Sequence, residues 1–294
     1  MTATDDGLVR AAIDAMATRF ELVIVAGDMD AGRARAIGEE ALDEIARLEH
    51  RLSLFRPSSD IAGINAWAAE RPVKVEPALF SLLQRCVALS AACEGAFDPT
   101  VGSLSRLWKA ATTIPPSSAI EAARCRAGWQ HVILDADAST IRFARKGMTI
   151  DLGAAGKGYA IDRAIAVLES QGIARALLHG GTSSVHALGA PPDDTGWRVG
   201  WSGDSRGNVF ELRDGALSVS AVHGRVFSSG GRTYGHVIDP RTGWPIERRL
   251  SAAVTGPASF ECDVLSTALL VHGADWLPAL QARFPGYEGL VNLP

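Results

Sequence analysis

The spacing of apolar residues along the chain predicts several helices. Over residues 31–52 the apolar positions recur at intervals of three or four, and the same spacing covers residues 77–93 and 157–171. This spacing places the apolar side chains along one face of a helix, which can then pack against a core. Near the end of the chain, a predicted helix over residues 259–272 is followed by a shorter one over residues 275–284.

Short runs of alternating apolar and polar residues predict strands, because successive side chains of a strand point to opposite sides. Strands and helices follow each other without strict alternation, which favours the α+β class over a doubly wound parallel sheet. The predicted strands cover residues 19–25, 130–134, 140–144, 148–151, 174–179, 185–188, 197–201, 209–212, 216–220, 234–238 and 251–255.

One segment between the first two helices interrupts the periodic pattern. Residues 52–65 are predicted to form a loop, because Pro57 and the two serines that follow it break the spacing. Ser58 or Ser59 is suited to cap the short segment after it.

A second interruption bears on the division into domains. Residues 114–118 contain two prolines and are the most linker-like stretch of the chain. We predict a single domain over residues 1–294, with two lobes of about 1–115 and 116–294 as a further division of it.

Composition and charge narrow the classes of function. The 294-residue chain is 47% hydrophobic, carries a formal net charge of −4 and has no run of Lys or Arg, so nucleic acid is a poor candidate partner. No apolar run approaches the roughly 18 residues of a membrane span, so no membrane anchor is expected. The N-terminal residues carry Asp5 and Asp6 in place of the positive charge of a signal peptide, which predicts a cytoplasmic protein.

Residues 151–158 read Asp-Leu-Gly-Ala-Ala-Gly-Lys-Gly and join a predicted strand to a predicted helix. Glycines allow close approach of a ligand, and a helix N-terminus with Lys157 beside it favours a phosphate. The spacing is not that of a P-loop. A tight turn with a solvated lysine fits the same residues, so this motif alone leaves both interpretations open.

Residues 179–184, His-Gly-Gly-Thr-Ser-Ser, form a second glycine-rich motif at the end of a predicted strand. Its hydroxyl groups can bind phosphate or sugar, although a plain turn explains the motif equally simply. In a third motif, residues 230–243, His236 alternates with Tyr234 and Ile238, so the three side chains share one side if the segment is a strand. The polar, glycine-rich surroundings make a functional histidine as reasonable as a structural one.

Asp263 and Thr267 lie four residues apart on a predicted helix and therefore share one of its faces. A carboxylate and a hydroxyl oxygen, together with ligand phosphates, suit Mg²⁺, which keeps few protein ligands. The alternative is an Asp favoured by the helix dipole, with the Thr hydroxyl bonded to the backbone of its own helix.

Taken together and in this order, these motifs resemble the FAD:protein FMN transferase family, also called the ApbE-type flavin transferases. The resemblance runs over nearly the whole chain and includes residues 16–20, 52–65 and 95–102. It implies a two-lobed α+β fold with the cofactor cleft between the lobes. It also implies FAD as the substrate, Mg²⁺ on its pyrophosphate, and transfer of FMN to a Ser or Thr hydroxyl of an acceptor flavoprotein with release of AMP.

The resemblance also implies roles for individual residues. The implied metal ligands are the side chains of Asp263 and Thr267 and the main-chain carbonyl of Gly156, and the implied catalytic residue is His236. The implied cofactor contacts are Ser53, Phe55, Asp60, Asn65, Asp98, Lys157, Gly158, Asp162, Gly180, Gly181 and Tyr234.

Three positions depart from the family pattern. Ala17 stands where the family commonly has glycine, Phe55 where tyrosine or tryptophan is often seen, and residues 218–223 lack the usual Ser-Gly pair. Such changes affect transfer more than they affect FAD binding. Two other functions share the predicted site: a protein that binds FAD without chemistry, and a Mg²⁺-dependent FAD pyrophosphatase.

Overall fold

A computed structural model describes residues 7–201, 208–222, 227–229, 232–235, 237–246 and 251–292. The α-helices in this part of the chain are α1 Ala31–Leu52, α2 Asp60–Trp67, α3 Pro77–Ala92, α4 Gly102–Ala110, α5 Ser117–Arg124, α6 Gly156–Ser170, α7 Ser259–His272 and α8 Leu277–Arg283. The strands are β1 Leu8–Ala15, β2 Thr18–Val25, β3 Val73–Lys74, β4 Val132–Asp135, β5 Thr140–Phe143, β6 Ala176–Gly180, β7 Ser184–Leu188, β8 Trp197–Gly200, β9 Val209–Leu212, β10 Gly215–Ala221, β11 Phe227–Ser229, β12 Arg232–Tyr234, β13 Ser251–Gly256 and β14 Glu288–Asn292.

A seven-stranded antiparallel sheet forms the centre of the fold, with strand order β1-β2-β6-β7-β10-β13-β14. Helices α1, α6 and α7 pack side by side against this sheet, with α6 in the middle. The two-stranded ribbon β8–β9 packs through a separate apolar cluster that includes Leu217 of β10. Along β10, Ala216 belongs to the core under the helices while Leu217 belongs to the cluster with the ribbon. The alternation therefore turns Ser218 and Ser220 toward the helices.

A smaller part of the molecule lies beside the sheet. It contains the three-stranded sheet β3-β5-β4, and α4 and α5 pack against each other around an apolar cluster that includes Trp108 and Tyr234. Strands from both sides of residue 115 pair within each of these sheets, since β2 pairs with β6 and β3 pairs with β5. The predicted α+β class is confirmed. The division into two lobes stays a prediction, and the two predicted lobes share both sheets.

Several predicted elements differ in the structure. Within the predicted loop, residues from Asp60 onward form α2, because the Ser59 hydroxyl caps the helix by accepting from Ala62 N at 2.9 Å. The predicted strand 148–151 is wrong, since only Thr149 makes an isolated bridge. The predicted strand 234–238 instead ends as β12 at Tyr234. Strands β1, β3, β11 and β14 and helices α4 and α5 were missed.

The turn between β1 and β2 explains one departure from the family pattern. Met16 and Ala17 both have positive φ, at 51° and 59°. A two-residue hairpin turn of this kind strongly favours glycine, because a Cβ atom is strained in the left-handed region. The glycine common in the family at position 17 therefore has a conformational reason, and alanine is tolerated here at a cost. None of the helices in the described residues combines the length and apolarity needed to cross a bilayer.

Candidate functional site

A cleft of about 650 Å³ opens where the small part of the molecule faces the central sheet. Residues from 96 to 109 form one wall, and the first turn of α6 forms another. The opposite wall comes from Ser218 to Ala221 of β10 and from α7. The cleft therefore has walls from both sides of residue 115. Four of the residues implied by the family pattern line it: Asp98, Lys157, Asp263 and Thr267.

The Asp263 carboxylate is held by three donors from three different elements. It is 4% exposed. Its Oδ1 accepts from the Ser184 hydroxyl at 2.7 Å and from the Ser218 hydroxyl, and its Oδ2 accepts from Gly158 N at 2.6 Å. All of these donors are neutral, and no ion pair to Asp263 is found within the described residues. A buried carboxylate without a cationic partner favours a bound cation.

Thr267 lies one turn after Asp263 on the cleft side of α7. Its hydroxyl donates to the Asp263 carbonyl at 3.0 Å and lies 3.2 Å from the Ser220 hydroxyl. The backbone bond predicted as the structural alternative is therefore present, and the oxygen still has lone pairs for a ligand. Asp263 and Thr267 place two hard oxygen atoms in one cleft, which is a donor set that fits Mg²⁺.

Gly156 and Gly158 shape the first turn of α6. A Cβ atom on Gly158 would lie 2.2 Å from the Ser259 carbonyl oxygen, so only glycine permits this approach of α6 to α7. A Cβ atom on Gly156 would meet nothing within 4 Å. Lys157, between them, lines the cleft and brings its charge to the N-terminus of α6. The proposed carbonyl ligand at Gly156 stays a prediction.

The Asp162 carboxylate caps α7. Its two oxygens accept from Ser259 N at 2.7 Å and from Phe260 N at 2.9 Å. These are among the amide groups that a helix N-terminus leaves without internal partners. Nearby, the buried His186 ring lies 2.9 Å from the Ser259 hydroxyl. Asp162 thus fixes the start of the helix that carries Asp263, and its implied cofactor contact stays a prediction.

Asn65 and Asp98 both fix the backbone near the cleft. The Asn65 amide donates to the Ile150 carbonyl at 2.9 Å and accepts from Ile150 N at 2.7 Å, so it joins α2 to the segment before Asp151. Asp98 accepts from Thr100 N at 2.8 Å, from the Thr100 hydroxyl at 2.6 Å and from the amide of residue 129 at 3.0 Å. Burial raises the pKa of Asp98, and these hydrogen bonds oppose the shift.

The loop before α2 extends beside the cleft. Phe55 is 78% exposed, and the ammonium of Lys109, a residue that lines the cleft, lies 5.5 Å from its ring centre. The Ser53 hydroxyl accepts from Phe55 N at 3.2 Å, and Asp60 accepts from Arg51 Nε at 2.8 Å. Ser53 and Asp60 therefore stabilise the loop through hydrogen bonds, while the Phe55 ring is exposed to solvent.

Gly180 and Gly181 turn the chain at the end of β6. A Cβ atom on Gly180 would lie 2.7 Å from the Phe20 ring, and Gly181 has a φ of +63°. These two positions bring residues 182–183 to the cleft wall. Their implied contact with the cofactor itself stays a prediction.

Tyr234 and His236 differ in what the structure describes. Tyr234 is 2% exposed and stacks on Trp108 with ring centres 5.8 Å apart, so it belongs to the apolar cluster beside the cleft. His236, the implied catalytic residue, lies outside the described residues. Ile238, two residues further, lines the cleft.

Sequence reasoning missed the contacts that three serines make with the implied metal ligands: Ser184, whose motif was considered for phosphate or sugar, Ser218 and Ser220. The available signal was the Ser-Val-Ser alternation on a predicted strand, which places two hydroxyl groups on one side. That signal does not say which helix the hydroxyl groups face. It becomes informative only when the strand order is known.

Comparisons with known proteins find relatives that cover most of this chain. The profile of the ApbE family matches residues 16–291. A protein of Treponema pallidum named FAD:protein FMN transferase is 31% identical over an alignment of 306 positions, gaps included. This alignment covers 94% of this chain and 84% of the relative. One of Klebsiella pneumoniae with the same name is 30% identical, over 82% of this chain and 77% of the relative.

Solved structures agree with the sequence relatives. The ApbE protein of Thermotoga maritima superimposes with a TM-score of 0.86 at 28% identity, over 97% of this chain and 94% of that one. The flavinyl transferase ApbE of Pseudomonas stutzeri, in its apo form, gives 0.84 at 26% identity, over 99% and 96%. With the family profile over most of its length and these relatives, this chain belongs to the ApbE family.

Proposed function

We propose that this protein transfers the FMN moiety of FAD to a Ser or Thr hydroxyl of an acceptor flavoprotein and releases AMP. Family membership supports the proposal, as do relatives of similar length named FAD:protein FMN transferase. The observation that carries it is that the oxygen-bearing side chains of Asp263 and Thr267 lie together on the wall of a cleft large enough for a nucleotide.

Displacement at phosphorus requires that the charge of the phosphates be neutralised and that the attacking hydroxyl be oriented. Asp263, Thr267 and the Gly156 carbonyl would hold Mg²⁺, which supplies that neutralising charge when bound. The Asp263 carboxylate is suited to this role because the donors that contact it within the described part of the chain are neutral, so its charge remains available to a cation.

Other residues in and beside the cleft are proposed to bind FAD and to orient the attacking hydroxyl. Lys157, in the first turn of α6, adds a positive charge where the helix N-terminus also favours a phosphate. Phe55, on the loop beside Lys109, offers an exposed aromatic surface for a planar ring. His236 is proposed to accept the proton of the attacking hydroxyl, which rests on the family pattern. Action in the cytoplasm stays a prediction from the sequence.

The test is incubation of the purified protein with FAD, Mg²⁺ and an acceptor protein of a related transferase, followed by intact-mass measurement under denaturing conditions. The expected result is an acceptor heavier by one FMN less one water, together with free AMP. AMP without labelled acceptor would instead identify an FAD pyrophosphatase, and FAD binding without AMP a binding protein. Asp263→Asn serves as the matched control and should leave the acceptor unlabelled.

A further inference from the structure

The two side chains proposed to hold the metal are themselves contacted by serines from the central sheet. Ser184 of β7 and Ser218 of β10 both donate to Oδ1 of Asp263. Ser220, two residues further along β10, lies 3.2 Å from the Thr267 hydroxyl. Ser184 and Ser218 are only 3% and 2% exposed, so water does not replace these contacts.

The spacing of the serines on β10 matches the spacing of Asp263 and Thr267 on α7, because of the repeat distances of strands and helices. Residues two apart on a strand are about 6.8 Å apart along it and share one side. Residues four apart on a helix are about 6 Å apart along its axis and share one face. Since these distances are nearly equal, β10 can place one hydroxyl on each metal side chain of α7. Val219, between the serines, packs on the other side of the sheet.

The donors also determine which carboxylate oxygen remains available. Among the donors that the structure describes, two hydroxyl groups contact Oδ1 of Asp263 and one amide, that of Gly158, contacts Oδ2. Oδ2 therefore keeps a lone pair for a cation, and the three donors together prevent rotation of the carboxylate. Groups that orient a ligand in this way are typically worth about 10–100-fold in metal affinity.

Ser220 acts on Thr267 differently. Because the Thr267 hydroxyl donates its proton to the Asp263 carbonyl, its lone pairs can accept a hydrogen bond from Ser220 or coordinate a cation. Ser220 also lies 2.9 Å from the Ser266 hydroxyl. Donation from Ser266 to Ser220 and from Ser220 to Thr267 fits these distances; it holds the Thr267 side chain in place and leaves one of its lone pairs for a metal.

We infer that Ser184, Ser218 and Ser220 are positioning residues that set the affinity of the Asp263–Thr267 pair for the divalent cation. The inference rests on the proposed function, because it requires the metal at this pair. It assigns to the hydroxyl groups of the sheet the task of orienting both ligands.

The test measures metal binding without catalysis. Mn²⁺ is titrated into the full-length protein with bound FAD and no acceptor, and free Mn²⁺ is followed by electron paramagnetic resonance. Ser184→Ala and Ser218→Ala should each weaken Mn²⁺ binding by about 10–100-fold. Ser90→Ala, a change at a buried serine of α3 that lies outside the cleft and donates to the Cys86 carbonyl, is the matched control and should leave the affinity unchanged. Urea unfolding without metal checks that each variant is folded.

Ser220 is tested by a double-mutant cycle, which measures whether two residues act together. Ser220→Ala should weaken Mn²⁺ binding in the wild-type background and have no further effect in Thr267→Val. Equal effects in both backgrounds would overturn its assignment to Thr267. Folded Ser184→Ala and Ser218→Ala variants that bind Mn²⁺ within twofold of the wild type would overturn the inference for Asp263.

A separate control distinguishes failure of this inference from failure of the proposed function. Asp263→Ala should abolish Mn²⁺ binding in the same titration. If it binds as the wild type does, the metal lies elsewhere, and the proposed site fails together with the inference. If it does not bind while the serine variants behave as the wild type, only the positioning role fails.

Discussion

Replacement of Gly158 by alanine should disrupt both the fold and the metal site. The new Cβ atom would lie 2.2 Å from the Ser259 carbonyl oxygen and 2.6 Å from its carbon. These are backbone atoms, so no side-chain rotation relieves the contact, and α6 must move away from α7. The movement also stretches the 2.6 Å bond from Gly158 N to the Asp263 carboxylate.

The expected change in the free energy of unfolding combines two destabilising effects and one stabilising effect. Overpacking of this kind costs about 1–3 kcal/mol, and loss of a hydrogen bond to a charged group costs about 1.5–3 kcal/mol. Alanine regains about 0.5–1 kcal/mol over glycine in a helix. Gly158→Ala should therefore lower the free energy of unfolding by about 2–5 kcal/mol.

Gly156→Ala provides the control within the same helical turn. Its Cβ atom would meet nothing within 4 Å, so the free energy of unfolding should be unchanged or rise by up to about 1 kcal/mol. Urea unfolding of both variants measures the difference, and Mn²⁺ titration reports the effect on the Asp263 site. Equal unfolding midpoints for the two variants would refute the close approach of α6 to α7.

Three further substitutions test other parts of the structure. His236→Ala should leave FAD binding nearly intact and slow covalent labelling of the acceptor by about 10²–10⁴; wild-type labelling rates would remove His236 from the mechanism. Ala17→Gly should raise the free energy of unfolding by about 1 kcal/mol, because Ala17 has a φ of 59°, and an unchanged urea midpoint would count against that strain. Burial lowers the pKa of His272 from its ordinary 6.5, and Arg241 lowers it further. The folded state then binds fewer protons than the unfolded state, so this contribution to stability is complete above about pH 6.5 and declines as the pH falls below it. His272→Gln should make unfolding less dependent on pH in that range, and identical pH profiles would contradict the assignment.

Long periodic elements could be predicted from the sequence because their pattern is local. Helices α1 and α7 begin and end where the apolar spacing places them. Helix α2 was missed because Pro57 and the two serines after it break the apolar spacing. The Ser59 cap supports the helix locally, and the two Asn65 bonds to Ile150 support it through a tertiary contact. The Ile150 contact joins residues 85 positions apart, which no local pattern reveals.

Local and long-range contacts also differ in how well they could be predicted within the site. Helical spacing was enough to bring Asp263 and Thr267 together, because both lie on one element. Ser184 and Ser218 reach Asp263 from 79 and 45 positions away, and only the order β7-β10-β13 places them under α7. Family motifs marked Gly158 as a cofactor residue, which stays a prediction, and the structure adds that its amide donates to the Asp263 carboxylate. Motifs therefore identify positions that a site requires, whereas the donors around each atom show what those positions do. Here they indicate that the sheet, which carries none of the proposed metal ligands, determines how well the ligands bind.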